Sequence, residues 1–281
     1  MDRYVVAGNP VEHSQSPFIH AAFAQQTAQD MEYGRLLWPL GQFAESVRAL
    51  AASGAKGCNI TVPFKFDAFR EGRHLSARAR LAEAANVLRF DADGWLADNT
   101  DGIGLVNDIE RNAGVALADR RVLLIGAGGA ASGALGPLLA ARPQAVVVAN
   151  RTLDKAHALI ERHRPVAGAT RLQAVPLDDC GTGFDVVINA SASSMQGVAV
   201  PVAASVLKDG ALALDMMYGA AARPFLDWAA AHGARGRDGL GMLVEQAAAA
   251  FELWRGVRPE TAAVLAALRA RMDAAAPRAP T

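Results

Sequence analysis

Polar residues of chemically useful kinds gather where strands and helices of this chain begin or end. Asn59, Thr61 and Lys65 follow an apolar run that stops at Pro63, at the strand end where open α/β sheets place ligands. A lysine in such a loop is ordinarily just solvated, and on its own Lys65 says no more than that. Asp98-Asn99-Thr100-Asp101-Gly102 is a cluster of the sort that makes turns and helix caps. A helix follows it at once, so Asp101 reads equally well as a cap. Ser14 and Ser16 stand just ahead of Pro17, a pattern for a helix start with Ser16 as its cap. Two hydroxyls there either solvate the loop or hold a small carboxylate, because a helix N-terminus favours anions.

The strongest local signal is Val122-Leu123-Leu124-Ile125-Gly126-Ala127-Gly128-Gly129-Ala130-Ala131. Four aliphatic residues read as a buried parallel strand. Gly126 ends it, Gly128 and Gly129 let a large group approach the backbone, and a helix runs from Ala130 to Leu139. A pyrophosphate fits there, facing helix amides that lack internal partners. A glycine fingerprint alone is weak, but the flanking strand and helix favour a dinucleotide turn over simple packing. The next strand, Ala145 to Ala149, ends at Asn150-Arg151-Thr152 rather than at an acid. With Arg151 and Lys155 nearby, the site suits a 2′-phosphate, hence NADP(H) rather than NAD.

These residues need elements to hold them. The expected strands are 4–7, 36–40, 57–62, 87–90 with 95–96 as a hairpin around Asp93-Gly94, 122–125, 145–149, 185–189 and 211–217. The expected helices are 16–26, 43–53, 75–85, 103–112, 130–139, 223–232, an amphipathic 242–254 with Gln246 on its first turn, and 261–274. The loop Ala190-Ser191-Ala192-Ser193-Ser194-Met195 is small enough for a cofactor to lie along it, and the Pro/Ala tail is expected to fray. The resulting class is α/β with two α/β domains. A Rossmann-like domain takes residues 102–238; a substrate-binding domain takes 1–101 and is completed by C-terminal helices, 239–281.

Composition narrows the partners. Lys plus Arg and Asp plus Glu are 28 each over 281 residues, and no basic block suggests nucleic acid. Residues 122–141 carry no charge and are long enough to span a bilayer. Their glycines and Pro137 favour a soluble βα unit instead, so no membrane partner is expected. No secretory leader is evident. Cys58 and Cys180 stand apart without metal-ligand spacing, so neither a disulfide framework nor a metal site is expected, and the cytoplasm is the default. A monomer or homodimer is expected.

Taken together, the spaced motifs resemble the shikimate dehydrogenase family over nearly the whole chain. They are Gly-x-Pro-x-x-His-Ser-x-Ser-Pro at 8–17, Asn-x-Thr-x-Pro-x-Lys at 59–65, Asp-Asn-Thr-Asp-Gly at 98–102, Gly-Ala-Gly-Gly-Ala at 126–130, Asn-Arg-Thr at 150–152 and Asp-Gly-Leu-Gly-Met-Leu-Val-x-Gln at 238–246. The resemblance implies NADPH-dependent, reversible reduction of 3-dehydroshikimate to shikimate, a step toward aromatic amino acids. It implies that Ser14 and Ser16 hold the substrate carboxylate, that Thr61, Asn86, Asp101, Gln246 and Tyr218 bind its ring hydroxyls and carboxylate, and that Lys65 and Asp101 flank the reacting C3 oxygen. Gly126, Gly128, Gly129 and Ala130 would take the pyrophosphate; Asn150, Arg151 and Thr152 the 2′-phosphate, with Lys155 and Gly239 completing the cofactor set. Ala21, Val87, Ser191 and Ser194 depart from the family pattern, and none removes a catalytic group.

The chemistry agrees. Hydride reduction of a ketone builds charge on oxygen, so a proton donor must lie within hydrogen-bond reach; Lys65 supplies charge and proton, and Asp101 orients it. Two other readings remain: a quinate/shikimate dehydrogenase using NAD, against which Ser14, Ser16 and Arg151 argue, and a non-catalytic NADP-binding sensor on the same fold, which would be free to lose Lys65 or Asp101.

Overall fold

The computed structural model describes residues 1–191 and 201–275. Strand β1 (Asp2–Gly8) organises the first sheet: Tyr4, Val5, Val6 and Ala7 are buried, and parallel neighbours flank it, β2 (Met31–Leu37) and β3 (Gly57–Ile60). Beyond β3 the sheet turns antiparallel through β5 (Val87–Arg89) and β6 (Leu96–Asp98), and ends on the short β4 (His74–Leu75), in the order β2-β1-β3-β5-β6-β4. Helices α1 (Ser16–Gln26), α2 (Phe43–Ala52), α3 (Lys65–Glu71) and α4 (Ala77–Ala82) connect these strands.

The second sheet is parallel throughout: β7 (Arg121–Ile125), β8 (Ala145–Ala149), β9 (Arg171–Val175), β10 (Phe184–Asn189), β11 (Leu207–Asp215) and β12 (Arg235–Arg237), ordered β12-β11-β10-β7-β8-β9. Central β7 feeds two cores, because alternate side chains point to opposite faces. Val122 and Leu124 pack with Leu135 and Leu138 of α6 (Gly129–Ala140); Leu123 and Ile125 pack with Phe184 and Phe225. Burying each such side chain is worth roughly 1.5–3 kcal/mol, which explains the uninterrupted apolar run. Chain order reverses between β7 and β10, the switch point where doubly wound sheets bind ligands.

Helix α5 (Asp101–Asn107), extended by a π-helical turn at Asp108–Asn112, runs between α6 and α9 (Leu240–Arg255). Its glycines allow backbone contact. A Cβ on Gly102 would fall 2.2 Å from the Gly133 carbonyl oxygen of α6, and one on Gly104 would fall 2.6 Å from Gln246 Cβ of α9. Helices α9 and α10 (Ala262–Ala275) return to cover α1: Ile19 and Phe23 are sealed by Val244, Phe251, Val264 and Leu268. Among the described residues no helix is long and apolar enough to cross a membrane.

Several local expectations are corrected. The second strand is Met31–Leu37 rather than 36–40, because its register with β1 pairs Asp2 with Met31 and Gly8 with Leu37; as a half-exposed edge strand holding Glu32, Gly34 and Arg35, it has no apolar signature. The helix expected over 75–85 is divided, β4 followed by α4, with Ser76 capping the Ala79 amide and Glu83 ending the turn at φ 50°. Helix α3, the helix Leu153–His163, β9 and β12 fall outside the expected elements; β12 reads only Arg-Gly-Arg. Helix α9 is buried nearly all round rather than amphipathic, and begins at Leu240, which moves Gln246 to its second turn. Ser16 is the first helical residue behind Gln15, not the cap, and Thr100 rather than Asp101 precedes α5. Of the loop expected to lie along a cofactor, Ala192, Ser193, Ser194 and Met195 lie outside the described residues, as does the Pro/Ala tail.

Candidate active site

Lys65 opens α3 just past the end of β3, and Asp101 opens α5 just past β6. Lys65 Nζ donates to Asp101 Oδ2 at 2.6 Å, and the two side chains are only 18% and 7% exposed. Partial removal from water strengthens this contact relative to a surface ion pair, while its desolvation cost demands further hydrogen bonds. Asn86 supplies one, donating from Nδ2 to Asp101 Oδ1 at 2.9 Å.

The same amide lies 3.0 Å from Thr100 Oγ1 and 3.1 Å from Gln246 Oε1, while Asn86 Oδ1 accepts from the Thr100 amide at 2.8 Å. Asn86, Gln246, Lys65 and Asp101 therefore meet although they lie on separate elements. Thr100 was not singled out by sequence; its hydroxyl looks like ordinary turn chemistry until the fold brings Asn86 to it. The loop is fixed from below. Asp98, buried at the end of β6, is ion-paired with Arg78, accepts from Ser76, and receives the Asn99 amide. Asn99 in turn accepts from the Asp101 amide at 3.1 Å and donates to the Ala84 carbonyl at 2.9 Å.

Thr61 follows β3 and lies in the turn that brings Lys65 round, since the Phe64 amide donates to its carbonyl at 3.1 Å. Ser14 and Ser16 form a separate pair, hydroxyl to hydroxyl 3.2 Å, with the Ser16 amide 3.3 Å from Ser14 Oγ. Tyr218, just past β11, lies against the Gln15 backbone between them. Burial raises its phenol pKa, a shift partly offset by that contact and by the charge of Arg35. A polar path joins the serines to the lysine: Tyr33, a neighbour of Ser16, donates to Asn59 Oδ1 at 2.6 Å, and Asn59 Nδ2 donates to the Asn86 carbonyl at 3.3 Å.

The glycine turn faces this cluster. Gly126, at φ +110°, closes within 3.0–3.1 Å of the Ala190 and Ser191 backbone when given a Cβ, so a side chain is excluded there. Gly128 precedes α6 with open space beyond it, and a Cβ on Gly129 would stand 4.0 Å from Lys65 Cβ and 3.7 Å from the Phe66 ring. Ala130 is the second residue of α6. The lysine thus stands beside the helix N-terminus, where a pyrophosphate is best received. At the tip of β8, Asn150 Nδ2 donates to the Thr152 carbonyl at 2.8 Å, and Arg151 and Thr152 are exposed, as is Lys155 one turn into α7 (Leu153–His163). Gly239, just before α9, has its Cβ direction 2.3 Å from the Met216 carbonyl oxygen; it packs backbone on backbone at the end of β11, which suffices to explain a glycine. No group of side chains among the described residues is arranged to hold a metal ion.

Comparison with known proteins identifies the family. Residues 6–88 match the shikimate dehydrogenase substrate binding domain, 108–215 the shikimate/quinate 5-dehydrogenase family, and 239–269 the shikimate 5′-dehydrogenase C-terminal domain. A relative named shikimate dehydrogenase (NADP(+)) from Methylibium petroleiphilum is 61% identical, over 98% of this chain and 96% of its own. Among solved structures, an Ael1 enzyme from Pseudomonas putida is 45% identical with a TM-score of 0.86, covering 95% of this chain and 98% of that one. A shikimate 5-dehydrogenase from Thermus thermophilus, solved with NADP(H) and shikimate, is 28% identical with a TM-score of 0.83, covering 96% and 100%. With three family models matched along its length and 61% identity over nearly the whole chain, the chain belongs to the shikimate dehydrogenase family.

Proposed function

We propose that this chain catalyses the reversible NADPH-dependent reduction of 3-dehydroshikimate to shikimate. The observation that carries the reading is the 2.6 Å contact between Lys65 Nζ and Asp101 Oδ2, beside the glycine turn. Lys65 donates a proton from Nζ to the C3 oxygen as negative charge builds there, and recovers one in the reverse direction. Asp101 orients the ammonium and accepts from the adjacent substrate hydroxyl. Asn86, Thr61 and Gln246 bind the remaining hydroxyls; Ser14, Ser16 and Tyr218 hold the carboxylate. The nicotinamide, when bound, supplies the hydride, and the protein supplies geometry and charge.

The residues present suit the phosphorylated cofactor. Open space above Gly128, a side-chain-free Gly126 and the α6 N-terminus, with Gly129 and Ala130, fit a pyrophosphate. Arg151, with Asn150, Thr152 and Lys155, places positive charge where a 2′-phosphate would lie, and no acid ends β8 to compete for a ribose hydroxyl. Gly239 is kept in the cofactor set on the strength of the resemblance. We divide the chain into a substrate lobe, 1–101 with 239–281, and a cofactor lobe, 102–238, since β1 to β6 precede the first boundary and β7 to β12 fall between the two. A cytoplasmic location fits two buried free thiols, Cys58 and Cys180.

Turnover of shikimate and quinate with NADP⁺ and NAD⁺, followed at the nicotinamide absorbance, tests all of this together. Shikimate with NADP⁺ is the expected productive pair. Equal use of NAD⁺ would sink the Arg151 assignment, preference for quinate the assignment of substrate, and no turnover the enzyme reading.

A further inference from the structure

The serine pair at the start of α1 is gripped by a side chain that has no part in the reaction as described. Arg35 of β2 donates from Nε and from Nη2 to the Ser14 carbonyl oxygen, at 3.0 and 2.6 Å. Two residues earlier Tyr33 lies beside Ser16 and donates to Asn59. Residues two apart on a strand share a face, so Tyr33 and Arg35 form a matched pair: Arg35 holds Ser14 and Tyr33 adjoins Ser16. On the Gln15 side, Tyr218 approaches the same turn. The turn is further defined by the Ser14 amide donating to the Val11 carbonyl at 3.1 Å.

A guanidinium bonded twice to one carbonyl fixes that peptide's orientation more firmly than a single donor can. Here the peptide is the one that joins Ser14 to Gln15, between the two hydroxyls, and the guanidinium places a full positive charge against it. An anion arriving at those hydroxyls meets a preorganised pair of donors in a favourable field, while a carbonyl free to rotate would meet it with its own negative end. Arg35 lies on the solvent-exposed edge strand of the sheet, so fold stability gives little reason for an arginine there.

We propose that Arg35 is a positioning residue for the substrate carboxylate, holding the Ser14–Ser16 turn in its anion-binding shape and adding one positive charge beside it. This rests on the assignment of that turn to the carboxylate made above. Because the residue acts on binding of the acid and not on hydride transfer, its loss should separate the kinetic constants. In Arg35→Gln the KM for shikimate should rise about tenfold, the size expected from losing one charged hydrogen-bonding group, while kcat and the KM for NADP⁺ stay within about twofold. Arg35→Lys, which restores the charge as a single point donor, should fall between. Added salt should depress kcat/KM for shikimate in the wild type and do so less in Arg35→Gln, since the steering charge is exposed.

A second measurement stands independently of any substrate. Amide hydrogen exchange over residues 11–20 should be faster in Arg35→Gln than in the wild type, and equal exchange would overturn the grip. An unchanged KM for shikimate, or a fall in kcat accompanied by a matching rise in the KM for NADP⁺, would overturn the carboxylate role. Both failures leave wild-type turnover of shikimate intact, which distinguishes them from a failure of the functional assignment.

Discussion

Lys65 is the residue on which the chemistry turns, and its neighbours say what its removal costs. Truncation to alanine deletes the proton donor and leaves Asp101, 7% exposed, with Asn86 as its side-chain partner among the described residues. Lys65→Ala should lower kcat by roughly 10²–10⁴-fold, the usual contribution of a positioned acid or base, in steady-state assays with saturating shikimate. A variant with near-normal kcat would place the proton donor elsewhere. His20 makes a different prediction. It is fully buried, stacked on Tyr33 with ring centroids 4.2 Å apart, and its ring nitrogens have no hydrogen-bond partner of normal geometry. Burial pushes its pKa down from 6.5 to about 3. The folded state therefore refuses a proton that the unfolded state accepts, so stability is fully present above pH 6.5 and is lost as pH falls toward 3. Each unit in that window costs about 1.4 kcal/mol. Comparing urea unfolding at pH 6.5 and pH 5, His20→Phe should gain about 2 kcal/mol on the wild type from this effect. Parallel pH dependence in the two proteins would show that His20 is not the acid-sensitive group.

At the scale of elements, α5 is the piece that places Asp101, and it does so through missing side chains. Gly102 presses on Gly133 of α6 and Gly104 on Gln246 of α9, so the carboxylate at the head of α5 is referenced to both the cofactor helix and the helix bearing Gln246. Gly102→Ala should cost about 1–3 kcal/mol by overpacking and lower kcat as well, because the displacement begins one residue from Asp101. Thermal unfolding and turnover should fall together; a stable variant with impaired activity would point to local movement of α5 alone. Sequence showed the long buried strands and the glycine turn well, because continuous apolar runs and glycine breaks leave direct marks. It missed β9 and β12 and misplaced β2, because edge strands are held by backbone pairing rather than by side chains. Lys65, Asp101, Asn86 and Gln246 were legible through their motifs. Thr100 and Arg35 were not, since a turn hydroxyl and a surface arginine acquire meaning only when a distant segment folds against them.

For the molecule as a whole, the order of residues along the chain is not the order of contacts in space. Arg255, at the end of α9, pairs with Asp2 at the start of β1 and donates to Gln29, Trp254 donates to the Leu88 carbonyl at 3.1 Å, and Gln26 Oε1 accepts from the Glu260 amide at 2.8 Å. The parallel sheet in the middle of the chain takes all its strands from residues 121–237 and draws Met242 of α9 into one of its cores, whereas the first sheet relies on α9 and α10 to cover α1. On the ribosome, the amino-terminal strands must emerge and stay unfinished, with Ile19 and Phe23 uncovered, until the last two helices have been made. Release of a chain ending after β12 should yield a protease-resistant middle segment joined to a digestible amino-terminal one, and equal resistance of both would show that the first sheet matures without its late partners. Such a protein carries its amino-terminal strands as a debt to helices made later, and truncation into α9 or α10 is felt first at β1 and α1.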